Sequence, residues 1–156
     1  MENRFEAFTC CILELNRCLQ KIKELEMKPF GLRAGHAMCL YYLGKSDAGL
    51  TATQLTRLCR EDKSAVSRSL SQLLARELIY CNLPENKRSY RTLYYLTDHG
   101  RKLTEAMNRR IEAVLFGGGS GLTDEQRNIF YDAMKLILSN LTTYLTKQEE
   151  QQEAAK

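Results

Sequence analysis

The apolar residues near the start of the chain recur at alternating steps of three and four. Six residues follow this spacing: Phe5, Phe8, Ile12, Leu15, Leu19 and Ile22. This is an a/d heptad seam, and it predicts a helix from about residue 3 to residue 27. Pro29 and Gly31 are expected to end that helix. The seam could cover the core of its own domain or pack on a helix of a partner chain. We favour the partner chain, because the seam precedes the compact, basic middle segment of the sequence instead of lying inside it.

Short helices are predicted next. One runs from about residue 33 to 43, and the polar residues 44–49 link it to the following element. Thr51 is followed three residues later by Gln54, which is the spacing of a capping box. Leu55 then begins an apolar stripe, so a second short helix is expected to start at this box.

The stretch DKSAVSRSLSQLLAR, at residues 62–76, predicts a helix with two different faces, capped by Asp62 or Ser64. At about 100° per residue, one side collects the apolar residues Val66, Leu70, Leu73 and Leu74. The other side carries Ser64, Ser67, Arg68, Ser71, Gln72 and Ala75. A merely solvated helix usually carries pairs of long charged side chains. Small residues instead allow the backbone to approach another surface, and Arg68 can hold guanine O6 and N7 with two hydrogen bonds.

These two helices, joined by the polar tripeptide at 60–62, have the arrangement of a helix-turn-helix, in which the second helix enters the major groove of DNA. The charge distribution supports this interpretation. Residues 51–101 hold nine basic and five acidic side chains, so this third of the chain carries the whole net charge of +4. A basic segment between nearly neutral ones indicates a local contact with a polyanion.

Residues 77–97 alternate apolar and polar side chains, and Pro-Glu-Asn-Lys interrupts them at 84–87. This pattern predicts a β-hairpin with a charged tip. Lys87, Arg88 and Arg91 at the tip could enter a neighbouring minor groove, whose negative potential attracts arginine. The alternative is that these charges only keep an exposed turn soluble.

Thr97 and Gly100 open the next predicted helix, at about 98–116. The run GGGSG at 117–121 is expected to form a flexible joint between two helices.

Thr123 and Gln126 form a second capping box, which starts a last helix. Its apolar side carries Ile129, Phe130, Ala133, Ile137, Leu141, Tyr144 and Leu145. The polar end of the chain, at 148–156, is expected to fray.

The composition is that of an ordinary globular protein. The chain has 156 residues, of which 44% are hydrophobic and 27% charged. This length fits one domain, or a small domain with helical additions. No apolar run approaches the ~20 residues of a membrane crossing, and the N-terminus lacks the apolar core of a signal peptide. We therefore expect a cytoplasmic protein without membrane contact.

The six cysteines are expected to be reduced thiols in that compartment. They are Cys10, Cys11, Cys18, Cys39, Cys59 and Cys81. No zinc-type Cys or His spacing is present, so no metal and no cofactor is expected. Cys10, Cys11 and Cys18 could sense oxidants, although cysteine is also a common small core residue. Cys11 and Cys18 are separated by a helical rise of about 10.5 Å. This exceeds the roughly 7 Å limit for a disulfide within one chain.

The chain resembles the MarR-type winged helix-turn-helix regulators. The resemblance rests on LTATQLTRLCREDKSAVSRSLSQLLARELI, the charged hairpin and LTDHG, and it extends to GLTDEQRNIFYDAMKLILSNL near the end. Its most specific parts are DKSAVSR and the Leu-Thr-x-x-Gly after the hairpin. The resemblance implies a mainly α fold with a small β-hairpin. Residues 1–30 and 122–147 would be dimerisation helices around a winged lobe at 33–100, and 148–156 would be a frayed tail.

The resemblance further implies a homodimer on a pseudo-palindromic DNA operator. Such proteins are mostly repressors, which a small ligand or cysteine oxidation releases. Ser64, Ala65, Ser67 and Arg68 would face the major groove, and Lys87, Arg88 and Arg91 compete for the role of the wing tip. The family usually has Asp-x-Arg in the wing where this chain has Asn-Lys-Arg at 86–88.

One further departure precedes the hairpin. Glu77 stands where relatives often have glycine, and a left-handed backbone there costs about 1 kcal/mol.

Two other functions were weighed. A winged helix that only binds proteins is the main alternative, and the basic tip and open serine face argue against it. An enzyme is not expected, because no nucleophile–base pair, metal cluster or phosphate loop is present, and GGGSG lacks the lysine of a P-loop. His36, Tyr41 and Tyr42 could line an effector pocket, but packing within their helix is the favoured interpretation.

Overall fold

A computed structural model describes residues 3–82 and 92–154, which form six α-helices and one small antiparallel sheet. The chain divides between Val114 and Leu115 into two compact units. The mainly α architecture predicted from the sequence is confirmed. Among the described residues, none of the helices combines the length and the apolar character that a bilayer crossing requires.

The first unit begins with four helices. They are α1 Arg4–Met27, α2 Ala34–Gly44, α3 Ala52–Cys59 and α4 Lys63–Ala75. After α1 the chain makes a 3₁₀ turn, and Gly31 adopts a left-handed conformation with φ 62°. The Gly31 N–H donates to Lys28 O at 2.9 Å, and the Leu32 N–H donates to Met27 O at 3.1 Å. This pair of bonds closes the helix end as a Schellman motif does, so glycine is needed where the sequence predicted the stop.

The sheet contains one strand more than the sequence predicted. β2 Ile79–Asn82 and β3 Leu93–Leu96 pair antiparallel as the expected hairpin. β1 Leu50–Thr51 pairs antiparallel with the other edge of β3, giving the order β1-β3-β2. A strand of two residues is too short to show an alternating pattern, which is why the sequence did not reveal it. The predicted hairpin tip, with Lys87, Arg88 and Arg91, lies outside the described residues.

The hydrophobic core of the first unit lies between α2, α3, α4, the sheet and helix α5, Asp98–Gly118. The largest fully enclosed side chains are Met27, Leu40, Leu43, Leu55, Leu73, Leu78 and Met107. Among the α1 residues whose side chains the structure describes, Met27 alone belongs to this core. Phe8 and Leu15 of the predicted seam are 42% and 44% exposed in the single chain, and the side chain of Phe5 lies outside the description. Most of the seam therefore does not cover the core of its own lobe.

Helix α5, Asp98–Gly118, starts at a close contact between two backbones. The Thr97 hydroxyl donates to Glu77 O at 2.8 Å and accepts from the Gly100 N–H at 2.9 Å. The Thr97 N–H donates to Leu78 O at 3.1 Å. A Cβ on Gly100 would lie 1.8 Å from the same Leu78 oxygen. The Leu-Thr-x-x-Gly sequence thus holds the start of α5 against the start of β2, and only glycine fits there.

Glu77, at the end of α4, has a left-handed backbone with φ 54°. The Glu77 N–H donates to Leu74 O at 2.9 Å, and the Leu78 N–H donates to Leu73 O at 3.1 Å. The conditional expectation of a strained position is therefore confirmed. A non-glycine residue at this turn costs about 1 kcal/mol, which the two bonds of a Schellman motif offset.

Both α5 and the last helix are longer than the sequence predicted. Helix α5 continues through Gly118, since the Gly119 N–H still donates to Leu115 O at 3.1 Å. The joint expected at 117–121 is therefore reduced to a short turn. Helix α6, Asp124–Ala154, includes residues 148–154, where fraying was expected. Residues 148–154 are Gln, Glu and Ala, which are good helix formers, and each added helical residue gains a backbone hydrogen bond once the helix is nucleated.

The buried imidazole of His36 connects α2 to α4. The Arg33 N–H donates to His36 Nδ1 at 3.0 Å, so the proton lies on Nε2, which donates to Gln72 Oε1 at 2.8 Å. Burial lowers the pKa of His36, and the charges of Arg76 and Arg33 add to this, while the bond to Gln72 acts in the opposite direction. This geometry favours packing over an effector pocket. Tyr41 and Tyr42 likewise pack edge to face, with ring centres 5.3 Å apart.

Gly100→Ala tests the contact between backbones. Its methyl group would overlap Leu78 O, and we expect the free energy of unfolding to fall by roughly 3 kcal/mol in urea denaturation. Gly117→Ala is the matched control, because nothing lies within 4 Å of a Cβ at that helical position. That variant should gain about 0.5–1 kcal/mol. Equal effects in both variants would refute a steric role for Gly100.

His36→Gln tests the buried imidazole. Below about pH 6.5 the unfolded chain binds a proton on His36 that the folded protein does not readily accept, because burial lowers the folded pKa. The unfolded state then holds more protons, so the free energy of unfolding decreases as the pH falls below about 6.5. The variant should lose less stability than the wild type between about pH 7.5 and about pH 5.

The second histidine provides the control for this measurement. His99 is exposed, so His99→Gln should keep the pH dependence of the wild type. A wild-type pH profile in the His36→Gln variant would contradict a role for the buried imidazole.

Candidate DNA-binding interface

The two faces of α4 differ as the sequence predicted. Val66, Leu70 and Leu73 are at most 2% exposed and pack in the core. The opposite side is exposed, and it carries Ser64, Ser67, Arg68, Ser71, Gln72 and Ala75. Ala65 is half-buried at the border between the two faces. We call these six exposed residues of α4 the serine face.

Asp62 is the N-cap of α4. Its Oδ1 accepts a hydrogen bond from the Ala65 N–H at 2.8 Å, which settles the choice between Asp62 and Ser64. The Ser64 side chain is therefore not used as a cap and lies exposed on the first turn of the helix. An N-cap of this type contributes about 1 kcal/mol, and it fixes where the helix begins.

Helix α3 and the turn after it hold the start of α4 in place. The predicted capping box is present: the Thr51 N–H donates to Gln54 Oε1 at 2.8 Å, and the Gln54 N–H donates to Thr51 Oγ1 at 3.2 Å. Between the helices Arg60 adopts a left-handed backbone with φ 53°. Two helices joined by so tight a turn form the helix-turn-helix unit that the sequence predicted.

The serines of α4 have different partners. Ser71 Oγ donates to Ser67 O at 3.0 Å, a bond within the helix that a rotation of the hydroxyl could release. Ser69 is half-buried and lies toward α2, where a Cβ on Gly35 would be 3.4 Å from its hydroxyl. Ser64 and Ser67 remain exposed. The serine face thus has small hydroxyl groups at its surface, and Arg68 and Gln72 are its two long side chains.

The two arginines of α4 have different roles. Arg76 donates to the carbonyl of Gly31 and, at 3.2 Å, to the carbonyl of Phe30, so it joins the end of α4 to the turn after α1. Arg68 is exposed and forms no salt bridge with any carboxylate in residues 3–82 and 92–154. Its guanidinium can therefore bind an external group without first breaking an ion pair.

Basic side chains also surround the start of α4, and the sequence reasoning did not assign them. Arg57 lies in the last turn of α3, Arg60 in the turn between the helices, and Lys63 at the first position of α4. All three are exposed. The backbone N–H groups at a helix N-terminus attract anions, and nearby cations strengthen that attraction. The sequence signal was available, because three of the nine basic side chains of residues 51–101 lie here, next to the acidic Glu61 and Asp62.

The described thiols differ in their surroundings. Cys10, Cys11 and Cys18 are all exposed on α1. Another pair, which the spacing in the sequence did not reveal, comes together in the structure: the Sγ atoms of Cys39 in α2 and Cys59 in α3 are 3.9 Å apart. Only the packing of these helices places the two cysteines side by side.

No family sequence model matches the chain, and no curated protein matches it in sequence. Solved structures do match over most of their length. The complex of Staphylococcus aureus MepR with DNA is 21% identical with a TM-score of 0.77, covering 86% of this chain and 97% of that one. Staphylococcus aureus MarR in complex with salicylate and kanamycin is 16% identical with a TM-score of 0.79, covering 91% and 95%. A MarR transcriptional regulator from Methanosarcina mazei Go1 is 20% identical with a TM-score of 0.77, covering 92% and 93%.

Identities this low establish a shared fold and leave the roles of single residues open. The similarity extends over both the winged lobe and the flanking helices, since nine-tenths of the chain is covered in these alignments. The expectation drawn from DKSAVSR and Leu-Thr-x-x-Gly is confirmed at this level. The chain has the winged helix-turn-helix fold of the MarR-type transcriptional regulators.

Proposed function

We propose that this protein is a sequence-specific DNA-binding transcriptional regulator of the MarR type, acting as a dimeric repressor that a small ligand or thiol oxidation releases. The observation that carries the proposal is the serine face of α4. It is exposed, free of long acidic side chains, and carries one arginine without an ion pair among the described residues. Such a surface suits the floor of a DNA major groove.

The groove requires both a close approach and specific donors. The short side chains of Ser64 and Ser67 let the backbone of α4 approach the groove closely, and their hydroxyls can form hydrogen bonds with phosphates or base edges. Arg68 can read a guanine with two hydrogen bonds, and the Gln72 amide can donate a hydrogen bond to a base or phosphate acceptor. The imidazole of His36 holds the Gln72 carbonyl oxygen at 2.8 Å, which leaves the Gln72 amide N–H₂ as its free donor group.

Phosphate contacts would surround this reading surface. Arg57, Arg60 and Lys63 lie at the start of α4, where they can bind the backbone that borders the groove. Lys87, Arg88 and Arg91 belong to the segment that connects β2 to β3, so they are proposed as the minor-groove contacts of the wing. Phosphate contacts by these basic side chains would fix the register of α4 on the duplex.

A second copy of the chain is the proposed partner of the terminal helices. Helix α6 has no buried residue in the single chain, and the apolar side chains Ile129, Phe130, Leu141, Tyr144 and Leu145 are 46–62% exposed. Phe8 and Leu15 of the α1 seam are exposed as well. Several large apolar side chains that are exposed together usually mark a protein interface. A dimer would also present two copies of α4, as a pseudo-palindromic operator requires.

The effector is proposed by class alone. The MarR structure from Staphylococcus aureus contains salicylate and kanamycin, which belong to that protein. For this chain we propose a small-molecule effector or an oxidant, acting on the dimer in the cytoplasm. No cofactor and no metal is required for either route.

A winged helix that binds only proteins is the competing function. It would keep the fold but show no salt-dependent binding to DNA. The absence of any complex with genomic DNA fragments at about 50 mM salt would favour it, because phosphate contacts are strongest at low salt.

Arg68→Ala tests base reading directly. The probe is a duplex that the purified protein selects from its own genome, compared with a scrambled duplex of equal length. The variant should bind the selected duplex about tenfold to a hundredfold more weakly, because it loses a bidentate contact with a base. The affinity for the scrambled duplex should change far less. Fluorescence anisotropy over a salt series measures both.

Arg109→Ala is the charge-matched control, since Arg109 is exposed on α5. It should reduce the affinity for both duplexes slightly and equally. Equal losses on both duplexes for Arg68→Ala would remove Arg68 from base reading. The wild type itself should lose a factor of about 10³–10⁵ in affinity between about 50 and 200 mM salt, if the dimer contacts roughly six to ten phosphates.

The proposed dimer is tested with the double variant Leu141→Glu and Leu145→Glu. These side chains are 53% and 58% exposed in the single chain, so the charges should not disturb a folded protomer but should prevent an apolar interface. Analytical ultracentrifugation should show a particle of about twice the 18.0 kDa chain mass for the wild type and a single chain for the variant.

The matched control for the dimer test is Asn128→Glu with Asn140→Glu, which adds the same charge at exposed polar positions of α6. It should remain a dimer. A wild type that sediments as a single chain would refute the dimer.

A further inference from the structure

We propose that Cys39 and Cys59 are a modification site, at which a hydroperoxide forms a reversible disulfide within one chain. The oxidised protein should bind DNA more weakly, and this second part rests on the proposed function. The sequence had pointed to the α1 thiols Cys10, Cys11 and Cys18 as oxidant sensors. The packing of α2 against α3 assigns the chemistry to a different pair.

The geometry of the two thiols carries the proposal. Their Sγ atoms are 3.9 Å apart, although 20 positions separate the residues in the sequence. A disulfide bond measures about 2.05 Å, so the sulfurs must approach by roughly 1.9 Å. Closing this gap requires a change of side-chain rotamer, a displacement of α3 toward α2, or both. Neither thiol needs a partner chain.

The two thiols differ in access and in acidity. Cys59, the last residue of α3, is half-buried, whereas Cys39 in α2 is 2% exposed. A hydrogen bond from the Cys39 thiol lowers the pKa of Cys59, against the opposing effects of burial and of the Glu61 carboxylate. The same contact, together with burial, raises the pKa of Cys39. Cys59 is therefore the thiolate that an oxidant reaches, and Cys39 is the resolving thiol.

The reaction balances in two steps. The Cys59 thiolate attacks the terminal oxygen of a hydroperoxide ROOH, the O–O bond breaks, and the departing alkoxide takes up a proton to give an alcohol. Cys59 becomes a sulfenic acid. The Cys39 sulfur then attacks the Cys59 sulfur, the S–O bond breaks, and hydroxide leaves as water with the proton of Cys39. In total, two thiols and one hydroperoxide give a disulfide, an alcohol and a water molecule.

The bond would act on α4 through the chain that follows Cys59. Only Arg60 and Glu61 separate this residue from Asp62, the N-cap of α4. Cys39 lies in the close-packed core, and Cys59 packs against that core. Interiors of this density transmit a displacement instead of absorbing it. Drawing the end of α3 toward α2 should therefore shift the start of α4, including Ser64 and Arg68.

The α1 thiols lack this geometry. Cys11 and Cys18 are separated along their helix by a rise of about 10.5 Å, which a disulfide within one chain cannot span. A disulfide within one chain needs a second thiol close to the first. Replacing all three α1 cysteines by serine therefore gives a control that retains the proposed pair.

The first experiment follows the bond itself. The full-length reduced protein is treated with hydrogen peroxide, its remaining thiols are alkylated, and peptides are analysed by mass spectrometry without reduction. The expected product links the peptides of Cys39 and Cys59 and disappears with dithiothreitol. The triple variant Cys10→Ser, Cys11→Ser and Cys18→Ser should form the same bond. Oxidation confined to the α1 cysteines, or Cys59 oxidised without a bond to Cys39, would overturn the proposal.

The second experiment measures the effect on DNA, using the selected duplex and fluorescence anisotropy. Oxidation should reduce the affinity of the wild type and of the triple variant by about tenfold or more, which corresponds to 1.4 kcal/mol. Cys59→Ser should bind equally well before and after peroxide. Because Cys59 is half-buried, this variant keeps the buried Cys39 in place and tests the proposal even if Cys39→Ala fails to fold.

The two experiments separate the possible failures. Lack of DNA binding by the reduced protein would refute the proposed function, while the mass spectra would still decide whether the disulfide forms. A disulfide without a change in DNA affinity would refute the coupling to α4. A loss of affinity in peroxide-treated Cys59→Ser would assign the response to another residue.

Discussion

Burial of one face of α4 in the core of the winged lobe determines the direction of every other side chain on that helix. Val66, Leu70 and Leu73 are almost completely enclosed, and each buried aliphatic side chain contributes about 1.5–3 kcal/mol. Compared with alanine, each serine in a helix costs only a few tenths of a kcal/mol. The least favourable ordinary residues cost about 0.7 kcal/mol. The core therefore holds the helix, and its outer face is free to carry small hydroxyl side chains.

Leu-Thr-x-x-Gly, one of the two most specific parts of the resemblance, has a structural role in this chain. Thr97 bonds the carbonyl of Glu77 and the N–H of Gly100, while the backbone of Gly100 lies against the carbonyl of Leu78. These contacts join the end of α4, the start of β2 and the start of α5. A motif can therefore identify a fold because it holds elements at a fixed distance, without touching any ligand.

Helix α2 connects the proposed reading surface to the proposed thiol site. From its first turn His36 bonds Gln72 of α4, and from its middle Cys39 approaches Cys59 of α3. Both members of the helix-turn-helix unit thus contact the same helix through a polar or thiol group as well as through apolar packing. We expect a change in either contact to act on the position of α3 or α4 relative to α2. This provides a physical route from a chemical event in the core to the face of α4.

The sequence by itself determined the elements whose cause is local. The helix predicted from the heptad spacing, the capping boxes at Thr51 and Thr123 and the two-sided pattern of α4 depend on neighbours within a few residues, and the structure has all of them. The tertiary structure alone decided which distant groups meet, because that depends on how helices pack. The strand β1 needs its partner β3, and the thiols of Cys39 and Cys59 approach only when α2 and α3 share a core.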